Sequence, residues 1–266
     1  MSLAEQIDDP LLRDERDSKG VLRLTMNRPA QRNALSMDLM AALIEALDQA
    51  GEDKDVRVVV IGGAGVGFCP GHDLREMRQD PSAEAYARIF DRCSTMMQKI
   101  VHLPKPVIAE VHGIATAAGC QLVASCDLAV AAEDARFATS GINVGLFCST
   151  PMVALSRAVG RKAAMEMLLT GDFIDAATAQ AWGLVNHVVA REELRAATDA
   201  LAHKICEKSA LAISLGKTAF YRQIEMDLSA AYTYTSEVMT RNMLSHDAPE
   251  GIDAFIAKRK PAWRDE

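Results

Sequence analysis

Hydrophobic positions along the chain follow two periods, and their alternation predicts an α/β fold. Residues 22–26 alternate between apolar and polar side chains, which is typical of a half-buried strand. Residues 56–61 and 107–111 are apolar except for Arg57 and Glu110, which indicates strands buried on both faces. Apolar residues at helical spacing follow Ser36 and Ser82, so each serine is predicted to cap a helix that continues the strand-helix pattern.

The same alternation continues toward the C-terminus. Further strands are predicted at residues 128–132, 136–138 and 184–189. Further helices are predicted at residues 151–159, 162–170, 175–181 and 192–206, and everything after Ala210 is predicted to be helical. We expect Gly51 to end the first helix, Ser149 to cap the helix at Pro151, and the first 18 residues to lack regular structure.

Two predicted strand-to-helix junctions carry candidate chemistry. The strand at residues 107–111 leads through a bend to a helix that begins near Ala118, and residues 68–74 form a sharp turn into another short helix. The first N–H groups of a helix have no intrahelical acceptor, so Ala118 and the segment from His72 to Leu74 offer free donors. A pair of such donors stabilises an enolate or a tetrahedral oxyanion.

The glycine-rich loop at residues 62–67 does not support a nucleotide-phosphate site. It has no Lys-Ser/Thr pair of a P-loop, and Phe68 stands where the third glycine of a dinucleotide-binding fingerprint would be. We therefore interpret the loop as a flexible turn that leads into the second junction.

Composition narrows the class of protein. The chain has 266 residues and a formal net charge of -7, which argues against a nucleic-acid partner. No apolar run reaches the length of about 18 residues that a membrane helix needs, so we expect no membrane insertion. The six cysteines are irregularly spaced in apolar sequence, which indicates reduced core thiols, and the polar N-terminus resembles neither a signal nor a transit peptide. We therefore expect a cytoplasmic location.

Several ordered motifs resemble one known family along nearly the whole chain. The motifs are Asn27-Arg28-Pro29 with Asn33-Ala34-Leu35, then Phe68, Gly71, Asp73 and Leu74, then residues 112–120, Ser125-Cys126-Asp127, Thr170-Gly171, and Ala181 with Gly183-Leu184-Val185. Together they are similar to the crotonase superfamily of enoyl-CoA hydratases and isomerases. Residues 115–127 and 143–151 are also similar to one particular branch of that superfamily.

The resemblance implies a fold, an assembly and a ligand. It implies a superhelical spiral of ββα turns over residues 1–205 and a C-terminal helical region over residues 206–266 that forms a homotrimer or a dimer of trimers. It also implies a CoA thioester as ligand, with no metal and no tightly bound cofactor.

Site residues are assigned by the same resemblance. The backbone N–H groups of His72 and Ala118 would form the oxyanion hole. Contacts to CoA would come from Ala30, Arg32, Ala34, the backbone of Asp73 and Leu74, and Phe255 and Lys258 of a neighbouring subunit. Without the resemblance, the basic cluster at residues 258–260 is interpreted as a solvated helix end.

The sequence departs from the family at both positions that carry the acid and base of hydration. Gln121 stands at the position of the first family glutamate and Gly141 at that of the second. Glutamine does not accept a proton near neutral pH and glycine offers only space, so each loss should slow hydration on the order of 10²-fold to 10⁴-fold. Some superfamily members with glycine at the second position seat bicarbonate there, so bicarbonate is a possible cofactor.

Three hypotheses about function therefore stay open. The first is an acyl-CoA enzyme that uses the oxyanion hole with a different base. The second is a non-catalytic acyl-CoA-binding or regulatory protein, and the third is a CoA-thioester hydrolase. The His72 ring is either a chemical group or a wall of the pocket, and Cys148 is interpreted as a buried thiol rather than a nucleophile. We expect Asp127 to accept hydrogen bonds from backbone donors.

Overall fold

The computed structural model describes residues 9–266 and contains two sheets within that range. The strands, in chain order, are β1 Leu12–Arg16, β2 Val21–Met26, β3 Val58–Gly63, β4 Val107–Val111, β5 Ile114–Thr116, β6 Leu128–Ala132, β7 Arg136–Ala138, β8 Ile174–Asp175 and β9 His187–Val189. The larger sheet has the order β1-β2-β3-β4-β6-β9 and the smaller one the order β5-β7-β8. The α/β class and the predicted strands between β2 and β9 are confirmed, whereas β5 and β8 were not predicted.

Helices follow the strands and continue to the C-terminus. They are α1 Met37–Glu52, α2 Leu74–Gln79, α3 Ala83–His102, α4 Ala118–Ser125, α5 Pro151–Ala158, α6 Arg161–Thr170, α7 Ala176–Trp182, α8 Leu194–Cys206, α9 Ala210–Gln223, α10 Leu228–Met243 and α11 Asp247–Ile256. The predicted caps of α1 and α3 are confirmed, because the Ser36 and Ser82 side chains accept hydrogen bonds from the N–H groups of Leu39 and Ala85.

The larger sheet is buried on both faces by helices. From β2 to β9 its neighbouring strands run parallel, and only β1 is antiparallel to its neighbour. Val59 and Ile61 of β3 face a core that α1, α3 and α4 also enter, while Val58 and Val60 pack toward α8. Because the carboxyl ends of parallel strands lie at one edge of a sheet, the segments that follow β3 and β4 emerge side by side.

Some details of the sequence prediction are wrong. Residues 12–16, predicted to lack regular structure, form the edge strand β1, which pairs with β2 in the register Asp14↔Leu24. Its side chains are mostly exposed and polar, so it carries no hydrophobic period. Residues 1–8 lie outside the described range. Gly51 does not end α1, which continues to Glu52, because the backbone there is helical and Asp53 is the C-cap.

A part-buried ion pair attaches the C-terminal helices to the sheet. The Lys217 Nζ atom on α9 donates to the Asp127 carboxylate at 2.7 Å and to the carbonyls of Ile100 and Lys105. Asp127 also accepts from Tyr221 Oη and from the Val107 N–H, which confirms its predicted pairing with a backbone donor. The boundary between residues 205 and 206 stays a prediction.

Replacing this lysine tests how much the ion pair stabilises the fold. Lys217→Met keeps most of the side-chain volume but leaves the Asp127 carboxylate and two carbonyls short of a donor. We expect a loss of about 3 to 5 kcal/mol in the free energy of unfolding, measured by urea denaturation. Lys204→Met, at an exposed position on α8, is the control and should change the same quantity by less than about 0.5 kcal/mol. Equal effects of the two substitutions would contradict the role of Lys217.

Candidate functional site

Two strand-to-helix junctions lie side by side where β3 and β4 leave the sheet. Cys69, before the first junction, pairs with the strand before the second: its N–H donates to the Ile114 carbonyl and its carbonyl accepts from the Thr116 N–H, both at 3.0 Å. The two segments therefore run as a short parallel pair and enter their helices together. The structure thus brings His72 and Ala118 into one site, as predicted.

The pairing of Leu35 determines which donors remain free at the first junction. The Leu35 N–H donates to the Gly71 carbonyl at 2.8 Å, and the Leu35 carbonyl accepts from the Asp73 N–H at 3.1 Å. In such a parallel bridge the N–H of the intervening residue, His72, points away from Leu35. The expectation that Asp73 offers a free N–H is therefore wrong, because that donor is already engaged. Whether the Asp73 backbone contacts CoA stays a prediction.

Within residues 9–266, neither the His72 N–H nor the Ala118 N–H donates to a backbone carbonyl. Ala118 is the first residue of α4, so its N–H has no partner within the helix and lies at the positive end of the helix dipole. Two unpaired donors at one place are the arrangement needed to bind an oxyanion.

Glycines allow the two junctions to approach this closely. A Cβ atom on Gly119 would lie 2.0 Å from the Cys69 carbonyl oxygen, and one on Gly71 would lie 3.2 Å from the Ala118 nitrogen. Gly71 also has a φ of +102°, a conformation that other residues rarely adopt. The backbones around residues 69–71 and 117–119 are therefore in direct contact.

Ala117 carries backbone strain at the start of α4. Its φ of 49° and ψ of -119° lie outside the regions that an alanine normally occupies. Such a conformation costs on the order of 1 to 3 kcal/mol and is typical of functional sites. It turns the chain sharply between β5 and α4, so that the next residue, Ala118, presents its N–H at the junction.

A cavity of about 510 Å³ opens beside the two junctions. Its lining residues are Pro70, His72, Leu74, Met77, Phe90, Ala117, Ala118, Ser140, Gly141, Val144, Leu146, Phe147, Cys148, Ser149, Thr150 and Pro151. This described lining contains no Asp, Glu, Lys or Arg. Leu74, Val144, Leu146 and Phe147 are partly exposed to solvent, so the cavity has an apolar rim. The site can therefore hold an apolar group next to two backbone donors.

Gly141 lies in this cavity, but the space beside it is filled. A Cβ atom on Gly141 would lie 2.5 Å from the Leu146 carbonyl oxygen and 2.8 Å from Cys148 Sγ. We expected this glycine to offer space for a missing carboxylate. In the direction in which a side chain would project there is no such space, because the chain folds back over the glycine. Whether bicarbonate binds elsewhere in the cavity stays a prediction.

Gln121 does not line the same cavity. It is buried on α4, and its amide oxygen lies 4.0 Å from Cys93 Sγ on α3. It lines a neighbouring cavity of about 840 Å³ between α3, α4, α5 and α9. The structure thus brings together three of the four predicted catalytic positions, His72, Ala118 and Gly141, and directs the Gln121 side chain toward α3.

The His72 ring is buried and unpaired. Within the described residues neither Nδ1 nor Nε2 has a hydrogen-bond partner, and the ring packs edge-on against Phe90 with 5.7 Å between ring centroids. Burial lowers the pKa of His72 to about 4, and the Leu35 backbone opposes this shift. The ring is therefore neutral at neutral pH.

Two other polar residues in the lining are explained by local structure. Burial raises the pKa of Cys148, so it is a thiol at neutral pH, which supports its interpretation as a buried thiol rather than a nucleophile. The Ser149 hydroxyl donates to the Phe147 carbonyl, and no side chain caps α5, so the prediction that Ser149 is the cap is wrong. The Pro151 ring at the start of α5 removes one of the N–H groups that a cap would serve.

The loop predicted to contact CoA lies beside the first junction. Arg28 Nη2 pairs with the Asp73 carboxylate at 2.9 Å, and the Asn33 amide donates to three carbonyls of residues 64–68. Within this frame Ala30 and Arg32 are exposed, whereas Ala34 is buried. Arg32 is therefore free to meet a phosphate in solvent.

Phe255 and Lys258 do not line the cavity of their own chain. Phe255, at the end of α11, is 85% exposed, and Lys258 follows on the exposed chain. Their assignment to the CoA of a neighbouring subunit stays a prediction.

Sequence reasoning missed two residues that shape the cavity. Phe90 was assigned only to the apolar side of α3, yet it contacts the His72 ring. The Leu146 carbonyl, which blocks Gly141, belongs to the loop before α5 and has no side-chain signal in the sequence.

The described part of the chain contains neither a metal-ligating cluster nor a membrane-spanning helix. Residues 9–266 contain no group of three or more His, Cys, Asp or Glu side chains placed to hold a metal ion. No helix in that range combines the length and the apolar character required to cross a membrane. Five of the six cysteines are buried and the sixth, Cys206, is partly buried, and all six are free thiols.

The strand order, the helices and the paired junctions together define an α/β protein of the crotonase fold. The chain belongs to the enoyl-CoA hydratase/isomerase family, whose model matches residues 16–266. The solved structure of an enoyl-CoA hydratase from Mycobacterium smegmatis matches with a TM-score of 0.94 and 56% identity, covering 96% of this chain and 99% of that one. The predicted superfamily is thereby confirmed.

The predicted branch is confirmed as well. Mitochondrial enoyl-CoA hydratase domain-containing protein 3 from Xenopus laevis is 49% identical over 92% of this chain and 83% of its own length. The solved human enoyl-CoA hydratase domain-containing protein 3 matches with a TM-score of 0.92 and 45% identity, covering 96% of this chain and 100% of that one.

These relatives correct the predicted location. The proteins from Xenopus laevis, mouse and human are all named as mitochondrial, which contradicts the expectation of a cytoplasmic protein. Reduced thiols occur in proteins of both compartments, so the cysteines could not distinguish them.

The contact at Gly119 can be tested against a second helical glycine. Both Gly119 and Gly216 lie within helices, but only at Gly119 does the new Cβ meet backbone. We expect Gly119→Ala to lower the free energy of unfolding by about 3 kcal/mol. Gly216→Ala should raise it by up to about 1 kcal/mol. Similar effects in urea denaturation would contradict a close contact between the junctions.

The neutral ring of His72 predicts a pH dependence of stability. Between the ordinary pKa of 6.5 and the native pKa of about 4, the unfolded chain binds a proton that the folded chain does not, so stability falls as pH falls. His72→Phe removes this contribution. As the pH falls from 7 to 4, the free energy of unfolding of the variant should rise relative to that of wild type by up to about 3 kcal/mol. If urea denaturation shows that the free energy of unfolding changes equally with pH in both proteins, a buried neutral ring would be contradicted.

Proposed function

We propose that this protein binds CoA thioesters and stabilises negative charge on the thioester oxygen with the backbone N–H groups of His72 and Ala118. The observation that supports this most directly is the pair of unpaired donors beside an apolar cavity. The family supports the same ligand, because its solved member from Mycobacterium smegmatis is named as an enoyl-CoA hydratase.

The chemistry follows from the position of the donors. A thioester carbonyl seated between the two N–H groups accepts both hydrogen bonds, and these strengthen as the oxygen gains charge on the way to an enolate. The apolar lining reduces screening, so each donor stabilises the charge more than it would in water. Leu74, Val144 and Leu146 at the rim supply contacts for the acyl chain.

Hydration is not the reaction that this site favours. The described lining offers no carboxylate to activate water or to protonate the α carbon. Gln121 lies outside the lining, and the Leu146 carbonyl occupies the direction in which a side chain at residue 141 would project. We therefore propose an acyl-CoA protein whose reaction, where it has one, relies on the oxyanion hole with a base other than the two family glutamates.

The CoA moiety is proposed to extend over the loop of Ala30, Arg32 and Ala34 toward Leu74. Arg32 is exposed there, and a guanidinium pairs well with phosphate. Phe255 and Lys258 are proposed to meet the CoA bound by a neighbouring subunit of a homotrimer or of a dimer of trimers. The exposed apolar side chains of the C-terminal helices support an assembly, and they include Phe220, Ile224, Leu228, Tyr232, Met239 and Leu244.

A non-catalytic acyl-CoA-binding protein is the second candidate function. The same observation favours it, because a site with oxyanion donors and no acid or base in its lining can bind a thioester without converting it. A CoA-thioester hydrolase is a third candidate that needs only a positioned water beside the hole.

Ligand chemistry gives the sharpest test of the proposed function. Butyryl-CoA and its thioether analogue S-butyl-CoA differ in the carbonyl oxygen, so the thioether cannot use the two N–H groups. We expect wild-type protein to bind butyryl-CoA about 10-fold tighter than S-butyl-CoA in calorimetric titrations. Equal affinities would reject the oxyanion hole, and failure of both ligands to bind would reject CoA binding altogether.

Turnover assays then separate the candidate functions. We expect the rate of crotonyl-CoA hydration to be lower by about 10⁴-fold or more than that of a family member with both glutamates. This should hold with and without added bicarbonate. A fast rate without bicarbonate would contradict the assignment of Gln121 and Gly141, and a rate that rises with bicarbonate would support bicarbonate as the missing base. Release of free CoA thiol supports a hydrolase, and binding without turnover across an acyl-CoA panel supports a non-catalytic protein.

A further inference from the structure

Helix α11 buries little apolar surface of its own. Within this helix, which lies wholly in the described range, only Asp247 and Ala254 are buried. Its large apolar side chains face solvent, and they are Ile252, Phe255 and Ile256. A helix in a folded protein usually takes its stability from an apolar face packed on the core. The position of α11 must therefore be fixed by other interactions.

The chain reverses direction directly after α11. Lys258 has a φ of 52°, a left-handed conformation that glycine adopts far more readily than lysine. The Arg259 N–H donates to the Ala254 carbonyl at 3.0 Å, which closes a left-handed helix end. Residues 259–266, called the strap from here on, therefore run back along the helix that they follow.

The strap is fastened along α11 by two carboxylates of the helix. Glu250 forms a two-bond ion pair with Arg259 and accepts from the Ala262 N–H at 2.7 Å. The buried Asp247 carboxylate accepts from the N–H groups of residues 264–265 at 2.8 and 3.0 Å. Hydrogen bonds to an ionised carboxylate are roughly twice as strong as neutral ones. These bonds supply the attachment that the apolar face of α11 lacks.

The far end of the strap is fastened to other elements. The Asp265 carboxylate pairs with Arg57 at 2.8 Å and accepts from the N–H of Ala210, the first residue of α9. The Trp263 indole N–H donates to the Glu207 carbonyl at 2.8 Å. Because Arg57 directly precedes β3, the strap joins α11 both to the neighbouring helices and to the larger sheet.

We propose that the strap is a positioning segment, which holds α11 where Phe255 and Lys258 can meet the nucleotide part of CoA. The inference rests on the proposed function, which assigns these two residues to CoA. Both are exposed at the end of α11, next to the turn into the strap. A binding group that is already held in place loses less conformational freedom when the ligand arrives, so fixing α11 raises the affinity. The left-handed Lys258 fits this role, because strained residues are typical of functional sites.

Two thioesters separate the role of the strap from the rest of the site. Butyryl-CoA and butyryl-pantetheine share the thioester, but only butyryl-CoA carries the nucleotide with its phosphates. The ratio of their affinities in calorimetric titrations therefore measures the nucleotide contacts. Asp247→Ala removes the acceptor of two strap N–H groups. We expect it to lower the ratio by about 10-fold relative to wild type, with the affinity for butyryl-pantetheine unchanged.

A second variant and a matched control accompany this substitution. Trp263→Ala removes the bond to Glu207 at a partly exposed position, and it serves the same purpose should Asp247→Ala not fold. Asp253→Ala removes a carboxylate from the exposed side of α11 without removing a strap bond. This control should keep the affinity ratio within about 2-fold of wild type.

Hydrogen exchange of backbone amides shows whether the variants act on α11 itself. In Asp247→Ala we expect the amides of α11 to exchange at least about 10-fold faster, while those of α1 and α4 keep their wild-type rates. Unchanged exchange in α11 would overturn the hold of the strap on the helix. Faster exchange with an unchanged affinity ratio, or a wild-type ratio near one, would overturn its role in CoA binding while thioester binding stands. Failure of wild-type protein to bind either thioester would overturn the proposed function as well.

Discussion

The contact between Gly119 and the Cys69 carbonyl is the constraint on which the candidate site depends. At this point the first turn of one helix lies against the backbone that leads into another, with no room for a single methyl group between them. Because Cys69 is also paired with the strand before α4, the two junctions have one fixed register. The distance between the His72 and Ala118 N–H groups is therefore set by backbone contacts alone. Such a spacing does not vary with side-chain rotamers, which suits a site that must fit one oxygen atom.

Two unfavourable features of the fold lie at this contact. Ala117 holds a strained backbone conformation immediately before α4, and the His72 ring buries two unpaired nitrogens. By contrast, the rest of the larger sheet is regular: β3 buries four consecutive apolar side chains, and the Asp127 and Lys217 pair is fully hydrogen-bonded. Local rules of folding are generally broken where function requires it, so strain and unpaired groups at one place identify the site independently of any motif.

Sequence periodicity predicted the buried strands and most helices because each presents a face or a pair of faces to the core. It failed for β1, whose residues from Arg13 to Arg16 are exposed on both faces and so carry no hydrophobic period. The free N–H group of Ala118 was predictable because such groups follow from where a helix begins. The surroundings of Gly141 were not, since they depend on the carbonyl of Leu146 folding back from a loop. The orientation of Gln121 likewise depends on how α3 and α4 pack, which periodicity does not specify.

The candidate site has a backbone half and a side-chain half, and the two are physically separate. The backbone half consists of N–H groups fixed by glycine contacts, and it is independent of the side chains at residues 121 and 141. The side-chain half lacks carboxylates, and near Gly141 the chain itself fills the space. A glutamate placed at residue 141 would have to displace the Leu146 carbonyl and the Cys148 thiol before it could reach a ligand. The loop and the glycine therefore depend on each other, and an apolar cavity beside two free backbone N–H groups is a stable arrangement in its own right.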